Sequence, residues 1–422
     1  MSENFTVVRF SRDSSLAKIE SLKYCETPDK VCENVHNFGI FHVICIALSI
    51  ITYFVDLILA VLLLYYFSIH QYGTYFAITL TFTLVPAMLM TTVSLRWYII
   101  DHDDPAVGRT SVTNWIVRIV VLLLQLAPLL RYVDTLIFGL RSKIAGSTSS
   151  YTEQMTYYRK MLDEDTNSAL LRLFHCFLHA APQALIQLVI LLKEEVTHPG
   201  KKPFPEDIAI LQLWTVMMAL ISIAWALTSY HRSVRYSRDD KNKLKFSASL
   251  IAFCWHLMSA MSRVLALGLL ASIFPVWMGC ICAFHWGIMS FWLAIGHHQS
   301  SCSSRCEELI LSVALGLAYV LAFISPKDGP TRYLYLAYYL VCFMENTGAL
   351  IVWCVANNAN DRPLIYYGAA GTQMFTFFLG IIFLLIYYSK FHPTVINRKK
   401  LPDVNFGKPG YSKSYNMRRS SS

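Results

Sequence analysis

Residues Leu171–Leu192 read LRLFHCFLHAAPQALIQLVILL. The run is apolar enough for a bilayer interior, yet His175, His179, Gln183 and Gln187 recur at every fourth position. On an α-helix that interval sets four polar side chains in one stripe along one face. At ~1.5 Å rise per residue the stripe extends roughly 18 Å, over half of a hydrocarbon core about 30 Å thick. Acyl chains cannot hydrogen-bond these groups, so the stripe has to face other protein or a wet cavity.

The rest of the chain agrees with a membrane setting. Hydrophobic residues make up 55% and charged residues 15%, and the mean hydropathy is +0.44. A soluble domain would carry about a quarter charged residues. The net charge of +9 does not describe a nucleic-acid surface, because Lys and Arg fall mainly in loops and tails; that placement orients a membrane protein. The polar first 38 residues contain no cleavable signal peptide, so the segment from Gly39 is expected to act as an uncleaved anchor.

Ten apolar segments can be read: Gly39–Phe67, Thr74–Ile100, Thr113–Leu140, Ser168–Leu192, Ile208–Tyr230, Phe246–Phe274, Trp277–His297, Glu307–Ile324, Tyr333–Val355 and Leu364–Tyr388. Asp101-His102-Asp103-Asp104-Pro105 is a helix stop. Gly146–Tyr158, rich in Ser, Thr and Tyr, reads as a loop ahead of Asp163, Glu164 and Asp165, whose carboxylates suit a helix N-terminus. The stretch His231–Lys245 and the tail after Tyr388 are both rich in Lys and Arg, which places both in the cytoplasm together with the N-terminus. Each half then crosses the membrane an even number of times although it holds five segments. The economical fold is all-α and polytopic: eight transmembrane helices plus two re-entrant half-helices, in two similar halves. Thr113–Leu140 is the expected re-entrant piece of the first half. In the second half the break at Phe274-Pro275 points to one of its two flanking segments. The domains follow as a cytoplasmic segment 1–38, a membrane domain 39–388 and a basic cytoplasmic tail 389–422.

Within the segments lie Asp56, Arg96, Arg118, Arg131, Asp134, Arg172, His256, Arg263, His285 and Glu345. Each costs at least ~2.5 kcal/mol at a helix centre unless paired or hydrated. They are either buried ion pairs bracing the bundle or a polar track for headgroups, ions or solutes. Arg96 and Arg172, near segment ends, are expected to snorkel toward phosphates. His175 and His179 have the i, i+4 spacing of a metal pair but no third ligand, and the eleven cysteines show no zinc spacing, so no metal is expected. There is no phosphate loop, nucleophile elbow or carboxylate pair, hence no catalytic residue and no cofactor.

The sequence resembles the XK-related (Xkr) family of membrane proteins over nearly its whole length. Leu171–Gln187 (LRLFHCFLHAAPQALIQ), Trp225–Arg235 (WALTSYHRSVR), Ser262–Ser272 (SRVLALGLLAS), His285–Trp292 (HWGIMSFW) and Arg332–Leu350 (RYLYLAYYLVCFMENTGAL) carry the resemblance, with SLRWY at Ser94–Tyr98, QLAPLLR at Gln125–Arg131 and YYSKFHP at Tyr387–Pro393. It implies the same fold and phospholipid scrambling: energy-independent movement of lipids, phosphatidylserine included, between leaflets of the plasma membrane, in apoptosis for several members. Lipids would pass along a path beside Asp56, Arg131, Asp134, His175, His179, Gln183, Gln187, Arg263 and Glu345. The implied partners are membrane phospholipids and a single-span subunit or a bridge-like lipid-transfer protein. The alternative reading is a non-transporting scaffold.

Two features depart from the family pattern. His175 and His179 stand where relatives often carry acidic residues. The tail holds one aspartate, Asp403, preceded at the fourth site position by Lys400, whereas caspase cleavage of the tail, which activates several members, requires an acidic residue there. The basic end with Arg418 and Arg419 is better suited to anionic lipid or phosphorylation.

Overall fold

A computed structural model of the chain describes residues 38–102, 112–123, 126–148, 151–197, 205–236, 244, 246–296, 305–323, 332–356 and 363–391. The N-terminal segment and the tail with Asp403, Arg418 and Arg419 lie outside the described residues. The described elements are helices: α1 (Ile40–Ile69), α2 (Gly73–His102), α3 (Val112–Leu123), α4 (Ala127–Ser147), α5 (Tyr151–His175), a π-turn (Cys176–Ala180), α6 (Ala181–Thr197), α7 (Glu206–Tyr236), α8 (Phe246–Ile273), α9 (Pro275–Gly296), α10 (Arg305–Tyr319), α11 (Arg332–Ala356) and α12 (Pro363–Lys390). Eight helices among the described residues are long and apolar enough to cross a membrane, α5, the π-turn and α6 counting as one from Tyr151 to Lys193.

The two remaining segments sit where the parity count requires them. Thr113–Leu140 divides into α3 and α4, with Pro128 in the first turn of α4. A 12-residue helix such as α3 reaches only ~18 Å. In the second half the expectation from Phe274-Pro275 is corrected. Both flanking segments, α8 and α9, are long enough to span, and Pro275 merely opens α9, where a missing N–H is tolerated. The short piece is α10, with 15 residues and so ~22 Å, followed by the turn Val320–Leu321. Each half therefore runs as two spans, a broken or short segment, then two spans.

The striped helix also starts earlier than its apolar pattern indicates. Tyr151–Tyr158, expected in a loop, is helical because it packs on α4: Ser142 Oγ donates to the Gln154 carbonyl at 3.1 Å. Asp163, Glu164 and Asp165 consequently lie inside α5 rather than at its N-terminus. Likewise α7 continues to Tyr236, so Arg232 is a buried helix residue and not a loop cation.

The largest apolar cluster is assembled from α5 to α12, and it includes Phe177, Leu227, Trp255, Leu293, Tyr319, Tyr335 and Phe377. Without a hydrophobic drive between helices inside lipid, close packing depends on small residues. A Cβ on Gly316 of α10 would meet the Ser290 backbone of α9 at 2.9 Å (N) and 3.0 Å (Cα), whereas nothing lies within 4 Å of Gly348 in α11. Gly316→Ala is expected to destabilise the protein by about 1–3 kcal/mol through overpacking, and Gly348→Ala to leave stability equal or slightly raised. Thermal unfolding of both variants in detergent checks this; equal melting temperatures would show that α9 and α10 are not in tight contact.

Candidate functional site

The stripe faces protein rather than an open groove. His175, His179, Gln183 and Gln187 are all at least 96% buried. His179 Nδ1 lies 2.8 Å from the Phe82 carbonyl of α2, and Gln183 Nε2 donates to the Thr79 carbonyl at 2.9 Å. Gln187 Nε2 reaches Thr79 Oγ1 and Gln183 Oε1, and its own Oε1 accepts from Gln212 Nε2 of α7 at 3.1 Å. The Phe82 carbonyl is available for a reason: Pro86, four residues on inside α2, has no N–H to give it. His179 supplies that proton, which assigns Nδ1 as the N–H of its ring. On the facing helix Pro182 likewise deprives the Leu178 carbonyl, and the helix relaxes into the π-turn, where the Ala181 N–H bonds Cys176 O.

The lower stripe belongs to a sealed ion pair. Asp56, in mid-α1, accepts from Ser222 Oγ of α7 at 2.5 Å and from Arg172 Nη2 of α5 at 3.2 Å. The same Arg172 nitrogen bonds Thr52 Oγ1 at 3.0 Å and also reaches Ser222. His175 Nε2 stands 3.7 Å from Asp56, and its ring packs on Tyr53 at 4.9 Å. The Arg172 side chain is 0% exposed, which corrects the expectation that it snorkels. With the helix starting at Tyr151, position 172 falls in its interior instead of at a segment end. Arg96 is exposed, as its position suggests.

A second centre holds the re-entrant helices. Arg131 in α4 makes bonds of 2.8 and 3.1 Å to both oxygens of Glu164 in α5, donates to Ser94 O of α2, and lies 3.6 Å over the Tyr98 ring. Tyr98 in turn donates to Asp134 Oδ2 at 2.6 Å, and Arg118 of α3 approaches Asp134 at 3.9 Å.

The third centre joins α8, α9 and α11. Arg263 donates from Nε to the Val320 carbonyl and from Nη1 to Asn346 Oδ1, both at 2.9 Å, and its Nη2 pairs with Glu345. The Val320 carbonyl is open to it because the chain leaves α10 there. His285 Nδ1 contacts the other Glu345 oxygen at 3.0 Å. Arg263 and His285 are 3% and 4% exposed, but Glu345 keeps 27%. It stands thirteen residues into α11 with eleven remaining, so ~17 Å or more from either end. His285 Nε2 and both amide atoms of the fully buried Gln373 have no hydrogen-bond partner among the described residues.

The sequence-derived candidates thus gather in three places: Asp56 with the stripe, Arg131 with Asp134, and Arg263 with Glu345. Asp56–Arg172 and Arg263–Glu345 each tie the first to the third span of a half, with the charges exchanged. Sequence reading missed Ser222 and Gln212, lone polar residues on an apolar helix, Asn346 beside Glu345, and the Arg232–Asp165 pair at 3.1 Å, whose members read as a loop cation and a helix-N-terminal acid. His256 meets His231 at 3.3 Å away from these centres. Among the described residues no group of three or more His, Cys, Asp or Glu could hold a metal.

Removing one partner of a fully buried pair leaves a stranded charge, at a cost of about 3–5 kcal/mol. Asp56→Ala is therefore expected to lose most folded protein at the detergent-extraction stage, and Asp56→Ala with Arg172→Met to recover much of it. Size-exclusion yield reads both. Full yield of the single variant would remove the bracing role.

A model of the family described as XK-related protein matches residues 44–393. Among curated relatives, Cell death abnormality protein 8 of Caenorhabditis briggsae is 27% identical over 357 residues, covering 78% of this chain and 73% of the relative. Its namesake in Caenorhabditis elegans is 26% identical over 341 residues, covering 77% and 72%. The match runs from within the first span past the last and takes in all three centres, so this multi-pass membrane chain belongs to the XK-related family.

Proposed function

We propose that the chain is a phospholipid scramblase, a non-enzymatic protein that lets lipids, phosphatidylserine among them, exchange between leaflets without energy input. The observation that carries this reading is the partial exposure of Glu345 halfway along a spanning helix. A carboxylate open at that depth cannot rest against acyl chains; it requires water or a polar headgroup beside it. Such a breach lowers the barrier for a zwitterion crossing hydrocarbon, and weak, repeated contacts let it leave again. The cell-death name of the relatives fits a role in exposing lipid at the surface of dying cells. On this reading the protein works in the plasma membrane with both termini cytoplasmic. A scaffold reading keeps support from α9, whose Val276, Trp277, Phe284, Phe291 and Ile295 are each at least 68% exposed and offer a face to a partner span.

Liposomes holding the purified chain and a headgroup-labelled fluorescent lipid test the proposal with a membrane-impermeant quencher. Loss of signal beyond the outer-leaflet half is the expected result; loss of half only, with folded protein, would point to the scaffold. Glu345→Gln keeps the shape but removes the charge, and is expected to slow lipid exchange about tenfold with a smaller loss of folded protein than Asp56→Ala. An unchanged rate would place the path elsewhere.

A further inference from the structure

The way α2 is fastened differs along its length. Its outer end is held by apolar contacts of Tyr75 and Phe76 with Leu63, Phe67 and Ile190. Its inner end is held by Ala87, Met90, Trp97 and Tyr98 against Leu122, Leu130 and Leu171, with Arg131 on the Ser94 carbonyl. Between these clamps, Thr79 to Pro86 meets the striped helix through polar contacts: His179 on the Phe82 carbonyl, Gln183 on the Thr79 carbonyl and, at 3.5 Å, on Thr83 Oγ1. The outward face of the same stretch, with Phe82, Leu84, Val85 and Met88 at 37–63% exposure, has no protein over it among the described residues. Both helices are also interrupted at this level, α2 by Pro86 and its partner by the π-turn ahead of Pro182.

We infer that the first half carries its own stretch of lipid path, apart from Glu345, and that the middle of α2 is its movable wall, bowing outward at Pro86 to bring His179, Gln183 and Gln187 into contact with passing headgroups. This rests on the scramblase reading. The zipper it breaks consists of hydrogen bonds between neutral groups, which water or a zwitterionic headgroup can replace one for one and an acyl chain cannot. The wall therefore opens to polar headgroups and stays shut against hydrocarbon. Because the freed Phe82 carbonyl never belonged to the helix ladder, parting His179 from it disrupts no backbone bond of α2. The clamps at both ends keep the helix in the bundle while its middle moves. Asp56 and Arg172 stay sealed behind Ser222 throughout, so the bracing pair and the path are different parts of one helix face.

The test uses Gln183→Cys, buried in the closed seam, and Thr83→Cys, half-buried across from it, each in the full chain in lipid vesicles. A membrane-impermeant methanethiosulfonate is added and modification is quantified at each position by peptide mass spectrometry, which separates it from the native cysteines; lipid exchange is followed in parallel. Modification of Cys at 183 is expected, with Pro86→Ala, which restores an N–H to the Phe82 carbonyl, lowering both modification and lipid exchange about tenfold. A merely structural proline would leave both rates unchanged. Lipid exchange without modification at 183 or 83, or with no effect of Pro86→Ala, would overturn the movable wall and leave the scramblase reading standing. Modification without lipid exchange would support the moving wall and remove the lipid reading.

Discussion

Hydrocarbon offers no hydrogen bonds, so every polar group inside the bilayer must be answered by the protein itself. At the Asp56–Arg172–Ser222 junction the carboxylate is answered by protein groups alone, and the first half is arranged around it. One carboxylate in α1 holds a guanidinium from α5 and a hydroxyl from α7, and Thr52 takes the remaining reach of the same nitrogen. Three helices distant in sequence are thereby fixed at mid-membrane depth. Charge alone would not suffice, because desolvation of a buried pair offsets much of its attraction; the serine and threonine hydroxyls make the junction tolerable.

The second half answers the same demand differently. Arg263 is also buried, and all three of its nitrogens are engaged, by a carbonyl, an amide and a carboxylate, where Arg172 bonds through Nη2 alone. Its partner Glu345, however, lies at a margin of the bundle, flanked by His285 on the thinly packed α9. A brace that is closed in one half and breached in the other can stabilise the bundle and still disturb the membrane beside it. His179, Gln183 and Gln187, on the π-turn and α6, stand between these cases: they are hydrogen-bonded, but through neutral groups that water can replace.

Much of this was legible from residues alone. Even crossing numbers expected from the basic loop and tail, set against five apolar segments per half, call for eight spans and two partial ones, and α3 and α10 have those places. The fourfold spacing of His175, His179, Gln183 and Gln187 requires a protein-facing stripe, and α2 provides that surface. The errors have physical causes. Tyr151–Tyr158 reads as a loop yet is helical, because it draws its helical stability from α4, which no local pattern reveals. That hid the true start of the helix and made interior Arg172 look terminal. Phe274-Pro275 drew attention as a break, yet a proline at a helix start interrupts nothing. Finally, Asp56 and Glu345 are indistinguishable in sequence, each a lone acid in an apolar run. Only the packing around them separates a sealed brace from an open site.

The most direct test of this account is an electron cryo-microscopy map of the full chain in a lipid nanodisc. The account predicts ordered water or headgroup density against the Glu345 carboxylate at mid-bilayer depth, with Arg263 and His285 still on its two oxygens. Acyl-chain density packed against α11 at that level, with Glu345 turned away from lipid and enclosed like Asp56, would contradict it.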